Sequence, residues 1–104
     1  MSKVYVTQEN SAVDYLPATK YGDLVFVVGS NQRLVPYTQS VENKLVIEQI
    51  RTVLLDFDGD EDYLLCTGSP TIMALCASEL GPDLKRILNW DNRMRDYFIV
   101  EIEI

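Results

Sequence analysis

Residues 3 to 8, Lys-Val-Tyr-Val-Thr-Gln, are rich in β-branched and aromatic side chains and predict a first strand. A loop through Pro17 and Gly22 follows, long for so small a domain. Asp23 to Gly29 is an almost unbroken apolar run, the pattern of a strand covered on both faces, and is the candidate for the centre of a sheet. From Ser40 the apolar positions Val46, Ile50, Val53, Leu54 and Phe57 recur at helical spacing with Glu42, Glu48, Arg51 and Asp56 between them, predicting an amphipathic helix to residue 57. Asp58-Gly59-Asp60 ends that period, and Tyr63 to Thr67 is a short apolar run that predicts another buried strand. The next helix is bracketed by Ser69 as N-cap, Pro70 at its first position and Gly81-Pro82 as its stop. Ile72, Met73, Ala74, Leu75, Cys76, Ala77 and Leu80 leave it almost no polar face, so it must pack on more than one side, within the monomer or at a subunit contact. Leu84 to Trp90 and Tyr97 to Ile104 are β-rich runs around Asp91-Asn92-Arg93-Met94 and predict a terminal hairpin.

The order is strand, strand, helix, strand, helix, strand, strand. It predicts a single small α/β domain over residues 1–104 with a mixed, mainly parallel five-stranded sheet and two helices. Two βαβ units give a parallel core of three strands, and the hairpin adds the last strand antiparallel. Two helices are too few to cover both faces of such a sheet. An exposed face or edge is expected, relieved by association into a homo-oligomer, with a homodimer the simplest form.

Charge narrows the chemistry. Nine basic residues against sixteen acidic ones give a net charge of −7 with no histidine, and the pI is about 4.4. A whole-molecule attraction to nucleic acid or to an anionic membrane is disfavoured. Without histidine the usual general base and the commonest zinc ligand are missing, which leaves carboxylate, lysine, tyrosine or thiol chemistry. No cofactor is implied. No long apolar segment opens the chain, so a soluble intracellular protein is expected. Cys66 and Cys76 fall in apolar patterns and are expected to be reduced core residues.

Three places concentrate residues with chemical potential. Asp56, Asp58 and Asp60, followed by Glu61 and Asp62, supply hard oxygen donors for a divalent cation, although neither the glycine nor Thr67 falls where a calcium-binding EF-hand loop needs it. Thr67, Gly68, Ser69 and Thr71 stand where a buried strand meets a helix N-terminus, a geometry suited to a phosphate or carboxylate. Lys85, Arg86, Arg93 and Arg95 gather four of the nine basic residues in the terminal hairpin, interleaved with Trp90 and Tyr97, residue types enriched in protein contact surfaces.

Two resemblances bear on these sites. Val53 to Asp60 resembles the first motif of the haloacid-dehalogenase-like phosphatases, which implies Asp56 as nucleophile and Asp58 as acid–base around Mg²⁺. Asp60 stands where that family has threonine, and Val53, Leu54 and Phe57 keep the phase of the preceding helix, so no catalytic residue is assigned. Asp62-Tyr63-Leu64-Leu65, Gly68-Ser69-Pro70, Ile87-Leu88-Asn89-Trp90-Asp91 and Tyr97 resemble small tailed-bacteriophage proteins that read Gly-Asp-Pro and Leu-Lys-Trp-Asp-Arg at matching places. That resemblance implies viral origin and brings no activity with it. The expectation is a small acidic phage accessory protein in the cytoplasm of the infected bacterial host, binding a host or phage protein through its hairpin without catalysis. The competing expectation is a ligand-binding or enzymatic domain that holds a phosphate-containing molecule at the turn from Gly68 to Thr71, with the acidic run near Asp58 supplying a metal.

Overall fold

The computed structural model describes residues 1–36 and 40–102. They form strands β1 (Lys3–Gln8), β2 (Asp23–Val28), β3 (Tyr63–Leu65), β4 (Arg86–Asp91) and β5 (Asp96–Glu101), helices α1 (Val41–Leu54) and α2 (Pro70–Leu80), and short 3-10 turns at Leu16–Tyr21 and Gly81–Asp83. Strands and α-helices follow the predicted order. Residues 103 and 104, the end of the last predicted run, lie outside the described residues.

The sheet order is β2-β1-β3-β4-β5. Strands β2, β1, β3 and β4 run parallel, and β5 is antiparallel to β4, which makes the sheet mixed. The parallel part is thus one strand larger than the two βαβ units required, because β1 inserts between β2 and β3. This corrects the assignment of Asp23–Gly29 to the centre: β2 is an edge strand, with Asp23 and Phe26 exposed. The interior position belongs to β1, whose residues Val4 to Gln8 are all buried. Its Thr7 and Gln8 look like solvent positions in sequence, yet both are hydrogen-bonded to neighbouring segments, and burial of a polar group costs little once it is paired.

Both helices pack on one face. Tyr5, Leu64 and Ile87 align across β1, β3 and β4 and meet Val46, Ile50 and Leu54 of α1 and Ile72, Cys76 and Leu80 of α2. The broad apolar surface of α2 serves two neighbours, α1 and β1. Helix α1 stops at Leu54 rather than residue 57, but Phe57 keeps its inward direction and packs on the Tyr5 ring with centroids 5.2 Å apart. On the opposite face Val4, Val6, Leu65 and Leu88 are covered by Tyr15 and Ala18 of the long β1–β2 connection. This connection takes the role of a missing third helix over part of the second face. No described helix is long and apolar enough to cross a membrane.

Cys66 and Cys76 are free thiols, and Cys76 is fully buried. Burial, reinforced by Cys66, pushes the Cys76 thiol up to about 12. A raised pKa means that the neutral thiol's contribution to stability is complete below the unfolded value near 9 and is lost as the pH rises from there toward 12. Alkylation of the native protein at pH 8 is therefore expected to label Cys76 at least ~100-fold more slowly than in urea. Mass spectrometry of quenched time points measures the ratio.

Candidate functional site

The carboxyl ends of the parallel strands are tied together by side chains of β1. Thr7 Oγ1 donates to Thr67 O at 2.7 Å and accepts from Thr67 N at 3.0 Å, which draws the backbone out of the β3 ladder just after Leu65. Gln8 Nε2 donates to Gln32 O at 2.8 Å, while its Oε1 accepts from Ser69 N at 2.9 Å. Gly68 has φ +89°, and a Cβ there would stand 2.5 Å from the Gln8 Cβ. The turn proposed for an anion is thus filled by the protein's own amide. Gly68 and Ser69 face Gln8, and Thr71 is exposed on the first turn of α2. Ser69 occupies the N-cap position, but its hydroxyl makes no capping bond.

Thr67 is turned the other way. Its Oγ1 donates to Gln8 O at 2.7 Å and lies 2.7 Å from Tyr15 Oη, which itself accepts from Asn10 N. This chain of hydroxyls anchors the segment before Pro17 above the sheet, and a cavity of about 400 Å³ opens between that segment and the hairpin. Thr67 lies at its lining, Trp90 and Tyr97 form an aromatic wall, and Ala12, Val13 and Pro17 face them with Asp14 and Arg95. The two rings are edge-to-face with centroids 5.0 Å apart. Tyr97 Oη donates to Asp14 O, and burial, aided by Tyr15 and Asp14, raises the phenol above its ordinary value, keeping it a neutral donor. The cavity joins residues from two stretches that the sequence reading kept apart: Thr67 from the strand-to-helix turn, and Trp90, Arg95 and Tyr97 from the hairpin.

The hairpin's basic residues do not form one patch. Lys85 pairs with Asp60 at 2.7 Å, and Arg86 lies over the Tyr63 ring at 4.6 Å from its centroid. Arg93 and Arg95 lie beyond the other end of β4, about 20 Å away at the rise of an extended strand. In the turn, Asp91 Oδ1 accepts from Arg93 N at 2.8 Å, and Arg95 adopts φ +50°, the one positive φ outside glycine among the described residues.

The acidic run is a structural turn. Asp62 is buried and accepts from Lys3 N and Asp58 N, each at 2.8 Å, while Asp58 Oδ1 accepts from Asp60 N at 2.9 Å. No three carboxylates converge on a cation position among the described residues. Asp56 is exposed just past the end of α1 with no strand before it, which removes the geometry that the phosphatase resemblance implied.

The sequence led to the expectation of an exposed face or edge without saying where, and the exposed edge lies on β5. Ile102 N donates to Lys85 O, so by antiparallel alternation Val100, Phe98 and Asp96 bond β4, while Tyr97, Ile99 and Glu101 turn their backbone groups outward. Those of Tyr97 are already taken, its N–H by Asp96 Oδ1 and its C=O by Tyr21 Oη, so the open part of the edge begins after Tyr97. Phe98, Ile99, Val100 and Ile102 are 44%, 38%, 41% and 41% exposed. The helices cover β1, β2 and β3 and leave Phe98 and Val100 bare on their side. The signal was present in the uninterrupted apolar run at Tyr97 to Val100, a run that a covered strand would bury.

These features define a small open-sheet α/β domain with its helices on one face, a cavity at the strand ends on the other, and an outer edge on β5 left open after Tyr97 among the described residues. The chain belongs to the family described as Phage Pam3 gp32-like protein, whose profile matches residues 2–104. This agrees with the phage origin that the C-terminal motifs implied. Neither the curated proteins nor the solved structures contain a match.

Proposed function

We propose that this phage protein is a non-catalytic accessory module that binds a host or phage protein in the cytoplasm of the infected bacterium by pairing the outer edge of β5 with a strand of that partner. The carrying observation is the bare edge itself. Solvent-exposed edge strands are normally guarded by lysine, proline or a bulge, because their free N–H and C=O groups template pairing with another chain. The first two residues of β5 are covered, Asp96 by Lys20 and Tyr97 by Tyr21, but from Phe98 to Glu101 the strand has none of these guards and exposes apolar side chains on both faces. Main-chain pairing would supply affinity and the alternating side chains register, as in other strand-addition complexes. Glu101 favours a basic residue at the matching end of the partner strand, whereas Asp96 is already paired with Lys20.

Ile99→Pro separates this contact from folding, because the Ile99 N–H points away from β4 and proline is tolerated at that side of an edge. The tagged full chain is expected to retain one stoichiometric protein from infected-cell lysate through a high-salt wash, and the variant to lose it while melting within a few degrees of the parent. Retention of the same protein by the folded variant contradicts the proposal. Recovery of a second copy alone would replace the foreign partner with self-association.

A further inference from the structure

We infer that the cavity between the segment before Pro17 and the hairpin binds a small molecule combining a flat aromatic ring with an anionic group, the chemistry of a nucleoside monophosphate. This site is separate from the outer edge of β5 and does not depend on it. Its volume of about 400 Å³ lies in the range of small-molecule sites. The recognition elements are of two kinds. Trp90 offers a ring for a base, a contact that tolerates any ring with a π face, and buried Tyr97 packs edge-to-face against it and fixes its place. Trp90 remains 36% exposed, although its ring is the largest apolar surface in the hairpin.

Arg95 supplies the second element. Its guanidinium makes no ion pair among the described residues, in a chain with sixteen carboxylates available. Its backbone is held at φ +50° by a turn that Asp91 fixes from within. A left-handed residue is a common way to close a short β-hairpin loop, here between Asp91 and Asp96, and it costs a non-glycine side chain some strain. The result is a cation at the mouth of an aromatic pocket, ready for a bidentate contact to phosphate. Asp14, also at the lining, is an acceptor for a sugar hydroxyl or exocyclic amine, with one oxygen already bonded to Leu16 N. The position agrees with the tendency of open α/β sheets to bind ligands beyond the carboxyl ends of parallel strands.

The test uses Trp90, the single tryptophan of the chain, as reporter. Adenosine 5′-monophosphate and uridine 5′-monophosphate are titrated separately into the full-length protein while tryptophan emission is recorded, with adenosine and inorganic phosphate as the two halves of the ligand. At least one monophosphate is expected to give a saturable change below about 1 mM, with adenosine or phosphate alone about tenfold weaker or worse. Arg95→Gly removes the guanidinium and accepts the positive φ without strain. Its melting temperature is expected to match or exceed that of the parent, and its affinity to fall about tenfold or more. Absence of a saturable change with both monophosphates, or equal affinity in parent and variant, overturns the inference.

Discussion

Asp62→Ala is expected to destabilise the protein by about 3 kcal/mol, through two backbone N–H groups left without an acceptor. The Asp62 carboxylate holds Lys3 N with one oxygen and Asp58 N with the other, so a single side chain fastens the start of β1 to the connection between α1 and β3. It is 3% exposed, which limits how well water can replace it. A protein of this size has a total stability of roughly 5–15 kcal/mol, so the loss is a large share. The melting temperature should fall by about 15 °C. Asp62→Asn keeps one acceptor but turns an NH₂ group toward the second donor, and is expected to recover only part of the loss. Thermal and urea denaturation followed by circular dichroism measures both variants, and a parent-like Asp62→Ala would show that the acidic turn is dispensable.

Gly68→Ala is expected to cost a comparable ~3 kcal/mol for a different reason. At φ +89° an alanine is strained before any contact is counted, and its Cβ would sit 2.5 Å from the Gln8 Cβ, an atom that cannot rotate away. Relief requires β1 or the start of α2 to shift, which also loosens the bond from Ser69 N to Gln8 Oε1. Gln8→Ala tests this account. It removes the amide but retains its Cβ, so Gly68→Ala in that background is expected to remain destabilising, with the contribution of the longer Gln8 side chain removed. A Gly68→Ala protein that melts with the parent would contradict the close approach of these two segments.

Local elements were legible in sequence because each carries its own period or punctuation: the helical spacing from Val46 to Leu54, Pro70 and Gly81 around α2, and the apolar runs either side of Asp91 to Met94. Sheet order was not. The apolar run at β2 resembles a central strand, whereas the mixed pattern of β1 conceals its interior place, because Thr7 and Gln8 are buried by virtue of hydrogen bonds that only the folded chain provides. The cavity was legible only in pieces. Thr67 and Arg95 are far apart in sequence and share a site because β3 and β4 are adjacent and the segment before Pro17 folds back over them. Val13, Tyr15 and Ala18 gave a usable signal, since apolar residues in a nominal loop must cover something. The four basic hairpin residues show the opposite failure: close in sequence, they are separated by the length of an extended strand.

The central claim is that the outer edge of β5 is where the protein meets its partner, and hydrogen exchange at single amides tests it most directly. In the free protein the outward N–H groups of Ile99 and Glu101 should exchange quickly, while those of Phe98 and Val100, bonded to β4, should be protected. In complex with the captured protein, the outward two are expected to slow by about tenfold or more, with Phe98 and Val100 protected in both states. Unchanged exchange at Ile99 and Glu101 in a saturated complex would contradict strand pairing and move the contact to another surface.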